Sequence, residues 1–352
     1  MAMQMTTSTR PTCRIQTAGK FFRLSRDKLY VKGFSYGPFA PNRDGEALPE
    51  REQVQRDFAH IRRLGANTVR VYFPPPLWLL DEAEAAGLFV FIDIPWEKHR
   101  CFLEDWEAMQ RARQRVCETA RLQGNHPAVF AISVVNEIPP DIVRFQGRRR
   151  VEKFIEELLA IAKREAPECL VTFVNFPTTE FLEVNGCDFV CFNVYVHDHV
   201  KFGLYLDRLQ HIAGNKPLLL GEYGIDSQRE GDVEQAAILA RHLRQVFRHG
   251  LAGSVIFAYT DDWFTGGHQI DDWFFGVTRV DRSDKLAASA LQGLWSNLPD
   301  DIHRSASLPK VSVVVCSYNG GKTLHGCLDS LMRLDYPDYE VILVDDGSND
   351  DT

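Results

Sequence analysis

The stretch Gly124-Asn125-His126-Pro127-Ala128-Val129-Phe130-Ala131-Ile132-Ser133-Val134-Val135-Asn136-Glu137 decides the fold. Gly124 stops a helical pattern, Asn-His-Pro sets a turn, and an apolar run then delivers Asn136 and Glu137 to a strand end. The same rhythm of apolar run and amphipathic stretch recurs on both sides. Strands are expected at Tyr30–Tyr36, Thr68–Phe73, Phe89–Ile94, Val129–Val135, Leu170–Asn175, Phe189–Val196, Pro217–Glu222 and Ser254–Tyr259. Their near-continuous hydrophobicity suits parallel strands covered on both faces. Helices are expected at Glu52–Leu64, Leu77–Ala86, Trp106–Leu122, Val151–Ala166 and Val233–Phe247. Eight such units over about 250 residues predict an α/β fold of the (β/α)8 TIM-barrel type. A doubly wound open sheet would share the rhythm, but Gly33-Phe34-Ser35-Tyr36-Gly37 is not its Gly-rich phosphate loop.

The barrel pattern ends near Asn297. The expected division is a tail at 1–20, a barrel at 21–297, a polar linker at 298–308 and a second unit at 309–352. The second unit reads as strand Val311–Cys316, helix Thr323–Leu334 and strand Glu340–Val344. A net charge of −8 argues against nucleic acid as a partner. No apolar run reaches the roughly 18 residues of a membrane span, and Met1–Lys20 offers no secretory h-region. The eight cysteines are scattered, without CxxC pairs, so neither zinc nor a disulfide framework is expected. The expected location is cytoplasmic, with membrane association left open for a longer parent chain.

In a barrel, the carboxyl ends of the strands form the catalytic face, and Glu137 lies there beside Asn136. A carboxyl group at that place can hold a proton and release it to a glycosidic oxygen, while Asn136 can bond a sugar 2-hydroxyl. The bland alternative is a helix-capping or surface-paired glutamate. A second apolar run, Lys216-Pro217-Leu218-Leu219-Leu220-Gly221-Glu222, ends three strands later in another carboxylate. Two carboxyls about 5–5.5 Å apart would serve as acid/base and nucleophile of a retaining glycosidase.

The Asn-His-Pro-Ala-Val…Asn-Glu string resembles the acid/base strand of glycoside hydrolase family 2 and its family 5-like relatives in clan A. Lys32-Gly33-Phe34-Ser35-Tyr36, Gly65-Ala66-Asn67-Thr68-Val69-Arg70 and Asp188 through Tyr195 are similar to that clan's first, second and sixth strands. The resemblance implies a retaining glycoside hydrolase or transglycosylase, with Glu137 as acid/base and Glu222 as nucleophile. It also implies that Arg70 supports the nucleophile and that Tyr195 is the active-site tyrosine. Family 2 enzymes carry β-sandwich domains ahead of the barrel, so a relative with a bare barrel is expected here.

Asp93, Trp96 and His99 after the third strand, together with Asn136 and Asn193, are further candidates for sugar contacts, with Trp96 reading equally as a core aromatic. The clan often places a Trp on its eighth strand beneath the reacting sugar, where this chain has Phe257 or Tyr259. Trp263 can supply that platform instead, from the near-repeat Asp261-Asp262-Trp263-Phe264 and Asp271-Asp272-Trp273-Phe274, which reads either as a loop whose aromatics cover the barrel rim or as a sugar-stacking loop closing the site. The barrel needs no metal or other cofactor for this chemistry.

Pro309–Asn319 and Glu340–Ser348 resemble the start of a family 2 glycosyltransferase, a GT-A (Rossmann-like) domain. That resemblance implies nucleoside contacts at Tyr318 and Asp346. The unit is read as a truncated β-α-β remnant. A divalent metal and a nucleotide sugar are expected only for a complete transferase domain, present in cis in the full-length protein. The expected substrate is an oligo- or polysaccharide, such as a β-glucan, in glycan synthesis or remodelling. Two alternatives stand beside this: a non-catalytic barrel that positions acceptor glycan, and a scaffold for a dominant transferase activity.

Overall fold

The computed structural model describes residues 14–299, 309–334 and 336–352, and divides at Leu298 into two compact units. The expected linker thus lies almost wholly outside the described residues. The first unit opens with three short antiparallel strands, β1 (Ile15–Ala18), β2 (Phe21–Leu24) and β3 (Asp27–Leu29). The stretch read as a tail therefore already contains β1, and Ile15 is buried. It was missed because the strand is short and three of its four residues face water.

All eight expected barrel strands form: β4 (Val31–Ser35), β5 (Thr68–Val71), β6 (Phe89–Asp93), β7 (Val129–Asn136), β8 (Leu170–Asn175), β9 (Val190–Asn193), β10 (Leu218–Glu222) and β11 (Gly253–Ile256). They are parallel and close on themselves, β11 pairing with β4. Closure leaves no sheet edge, so all the strands can be apolar on both faces. Phe22 of β2 is fully buried at the amino end of the barrel, its ring 5.0 Å from Phe130 and 5.3 Å from Phe189. Burying such a ring contributes about 1.5–3 kcal/mol.

The helices are α1 (Arg51–Arg63), α2 (Leu77–Ala86), α3 (Trp106–Leu122), α4 (Pro140–Gln146), α5 (Arg148–Glu165), α6 (His199–Ala213), α7 (Ser227–Glu230), α8 (Asp232–Arg248) and α9 (Leu286–Trp295). The crossover from β8 to β9 breaks the alternation. It has only a 3-10 turn, Pro177–Thr179, and leaves a separate cavity of about 500 Å³ against α6 on the outer barrel wall.

The motif before β7 works at the opposite end from the chemistry. A Cβ on Gly124 would meet the Ala120 carbonyl at 2.4 Å and Ala166 Cβ at 2.7 Å, so only glycine fits where α3 passes the end of α5. The turn is fixed by Arg14, which donates to the Gly124 carbonyl at 3.0 Å and the His126 carbonyl at 3.1 Å. From Val129 the strand climbs roughly 26 Å to Glu137.

The segment after β11 rises over the carboxyl ends of the strands and carries the hairpin β12 (Trp263–Thr265) and β13 (His268–Ile270). Its base is pinned by Lys285, which donates to Asp261 and to Ser227 Oγ, each at 2.8 Å, with both charged partners buried. Arg282 adds a second pin to buried Asp57 of α1 at 3.3 Å.

In the second unit, parallel strands β14 (Val311–Ser317) and β15 (Tyr339–Asp345) flank α10 (Gly321–Leu331) in sequence. Their carboxyl-end turns are joined by Ser348, whose Oγ accepts from Asn319 N at 2.8 Å. Tyr318 is exposed there, and Asp346 N donates to the Ser317 carbonyl at 2.9 Å. No helix among the described residues is long and apolar enough to cross a membrane.

Candidate active site

Arg70 organises the carboxyl end of the barrel. It points inward from β5, and no part of it is exposed. Its Nε donates to Asp93 at the end of β6, and its Nη1 donates to Glu222 Oε1 at 3.0 Å, to the Gly221 carbonyl at 2.8 Å and to Asn193 Oδ1 at 3.1 Å. Its Nη2 donates to Asn136 Oδ1 at 3.1 Å. Four strand ends are thus tied to one guanidinium, whose rigid fork matches such acceptors. Burial pulls the Arg70 pKa down, but Asp93, Tyr72 and Glu222 outweigh it and keep the group charged. Gly221 permits the approach, since a Cβ there would come within 2.9 Å of Arg70 Nη1 and 2.8 Å of Asn193 Oδ1.

Glu222 accepts from three donors: Arg70, Tyr72 Oη at 2.9 Å on Oε1, and Tyr195 Oη at 2.8 Å on Oε2. Burial first, with the Glu222 charge adding to it, raises both phenol pKa values, so both stay donors. Glu137 differs. It follows β7 with φ +47°, a left-handed conformation that costs a non-glycine residue of order 1–3 kcal/mol. Among the described residues its one side-chain donor is Asn193 Nδ2, 2.8 Å from Oε1. Burial raises the Glu137 pKa, and the neighbouring Glu222 charge raises it further, against the Asn193 hydrogen bond, Lys98 and Arg70. The two carboxyls therefore occupy opposed environments, one held by cation and hydroxyl donors, the other pushed toward its protonated form.

A cavity of about 630 Å³ opens above Glu222, within the usual range of ligand pockets, and Glu137 follows Asn136 and is not itself among the lining residues. Asn136, His99, Tyr195 and Trp263 line it together with Glu222. Asn136 Oδ1 takes donors from Arg70 and Asn193, so its amide nitrogen remains for a ligand. Arg70, Asp93 and Asn193 lie beneath as buried supports. Burial lowers the His99 pKa, and Lys98 beside it adds to the effect.

Four expected contacts are corrected: Asp93 and Asn193 are buried beneath the cavity and do not line it, and Trp96 and Tyr259 pack away from it. Trp96 is core: its Nε1 donates to the Val134 carbonyl at 2.8 Å, and its ring packs on Phe102 and Phe154. Tyr259 is fully buried behind the wall, its hydroxyl 3.0 Å from His60 Nδ1 and 3.4 Å from Asp57. Of the two eighth-strand aromatics it is Phe257 that lines the cavity, its ring centroid 4.8 Å from that of Trp263. Sequence reasoning overlooked Tyr72 and Phe275 as lining residues, while Trp273 of the near-repeat does line the cavity. The signal for Tyr72 was available, because residues two apart on a strand share a face and Arg70 points inward.

Residues 15–297 match the family model for the TIM barrel domain of glycosyl hydrolases family 2, and residues 312–352 match that for glycosyl transferase family 2. No curated protein matches the chain. Among solved structures, β-glucuronidase from Ruminococcus gnavus is similar at TM-score 0.69 and 20% identity, covering 80% of this chain and 53% of its own. Bifidobacterium dentium β-glucuronidase, complexed with coumarin-3-O-glucuronide, is similar at TM-score 0.71 and 20% identity, over 82% of this chain and 49% of its own. The chain spans about half the length of these structures, and at that identity the likeness is one of fold.

Proposed function

The chain belongs to glycosyl hydrolase family 2 through its TIM-barrel domain, and we propose that it cleaves or transfers β-glycosidic bonds of an oligo- or polysaccharide with retention of configuration. The contrast between the two carboxyl environments carries this reading. Glu222, oriented by Arg70, Tyr72 and Tyr195, attacks the anomeric carbon, while Glu137 gives its proton to the departing oxygen. The C1–O bond to the leaving group breaks as the ester to Glu222 forms. Glu137, now ionised, takes a proton from water or from an acceptor hydroxyl, whose oxygen displaces Glu222 and completes hydrolysis or transfer. Asn136 offers its amide nitrogen to the sugar 2-hydroxyl. A barrel that only bound glycan would have no use for an acid in a left-handed conformation beside an oriented carboxylate.

The substrate class is a β-glucan or a related glycan. The match of residues 312–352 to a transferase family supports a role in glycan building or remodelling. A panel of 2-deoxy-2-fluoro aryl β-glycosides tests the assignment by covalent trapping and peptide mass analysis. Label on the peptide bearing Glu222 is the expected result. Label on Glu137, or turnover with no trappable ester, would overturn it.

A further inference from the structure

The catalytic cavity shares a wall with a second hollow. Trp273 and Phe275 line both, and Asp226, Gln228, Arg229 and Asp272 complete the second, of about 490 Å³. The shared wall is held from both sides. Asp226 Oδ2 accepts from Phe274 N at 3.0 Å, while its Oδ1 caps α7 through Gln228 N and Arg229 N. Trp273 packs edge-on to Phe257 and tilted to Trp263, the two aromatics of the catalytic cavity, and still exposes 40% of its surface. Beside it, Asp272 is exposed and makes no hydrogen bond or ion pair among the described residues.

An aromatic face flanked by a free carboxylate, a guanidinium and an amide matches a pyranose, whose C–H face is apolar and whose rim hydroxyls both donate and accept. We infer that the hollow beside Trp273 is a second sugar-binding subsite, taking the unit next to the one at Glu222. Its ligand is a neutral glycosyl unit of a chain, so the substrate is recognised as an oligomer and not as a single terminal sugar. This rests on the glycosidase reading given above.

The test uses the full chain and isothermal titration with β-1,3- and β-1,4-linked gluco-oligosaccharides of one to four units. Wild-type affinity rises about tenfold when a second unit is added, the yield of one charged hydrogen-bonding contact set. The double variant Asp272→Ala with Arg229→Ala, which touches only the second hollow, abolishes that rise. It leaves hydrolysis of aryl β-monoglycosides at the wild-type rate. Affinity independent of chain length in both series, or a rise that survives the double variant, overturns the subsite. Length-dependent binding by a protein that turns over no aryl glycoside would instead retain the subsite and sink the glycosidase reading.

Discussion

Lys285→Met removes one buried cation while keeping most of its apolar stem. Lys285 donates to Asp261 at 2.8 Å, to Ser227 Oγ at 2.8 Å and to the Phe274 carbonyl at 3.1 Å. Ser227 Oγ and the Phe274 carbonyl remain bonded to each other at 3.0 Å, so neither is stranded. Among the described residues Asp261 keeps only Gly276 N at 2.9 Å, and its carboxylate stays buried with no counter-charge from them. Breaking a buried pair by removing one partner costs about 3–5 kcal/mol, which lowers Tm by roughly 6–20 °C for a domain of this size. Adding Asp261→Asn removes the stranded charge and recovers most of that loss. The sign with pH follows from Asp261, whose pKa burial already raises in spite of Lys285. A carboxyl raised in the folded state favours folding in acid and loses that advantage as pH climbs through its folded pKa. The variant's penalty is therefore smallest in acid and complete near neutrality. Because the same segment carries Trp263 and Trp273, KM for oligosaccharides rises more than kcat falls. Denaturant melts across pH, with the double-variant cycle, measure all of this. A loss under about 1 kcal/mol at pH 7, or one unaffected by Asp261→Asn, would refute the reasoning.

Glu137→Gln removes a buried carboxyl whose pKa is raised, so it increases Tm at pH 7 and leaves it unchanged in acid below the ordinary glutamate pKa of about 4.3, as calorimetry at the two pH values will show. The same variant lowers kcat roughly 10²–10⁴-fold for glycosides with poor leaving groups. In the wild type, the alkaline limb of kcat/KM reports Glu137 losing its proton and lies above the usual carboxyl range, measurable with an aryl glycoside. Tyr195→Phe deletes one hydroxyl donor to Glu222 and lowers kcat/KM roughly 10- to 100-fold with little change in Tm.

The barrel was legible because strands covered on both faces must be apolar throughout, and eight such runs leave few topologies. The helix at His199–Ala213 was not, because Phe202-Gly203-Leu204-Tyr205 reads equally as strand. The signal was its cap, Asp198, whose side chain accepts from Val200 N and Lys201 N. Both glutamates could be read from strand position, since a barrel strand's end fixes where its next residue points. Trp96 and Tyr259 could not be placed, because sequence does not tell a sugar platform from a core aromatic once the strand has ended. The second hollow was invisible for a similar reason: it needs α7 and the end of the β11 loop to meet, which only Asp226 reveals.

The stereochemistry of the first-formed product tests the central claim most directly. Proton NMR of an aryl β-glycoside during early turnover reads the anomer before mutarotation. Double displacement through Glu222 and Glu137 predicts that the β-anomer appears first. First appearance of the α-anomer would contradict the assigned pair.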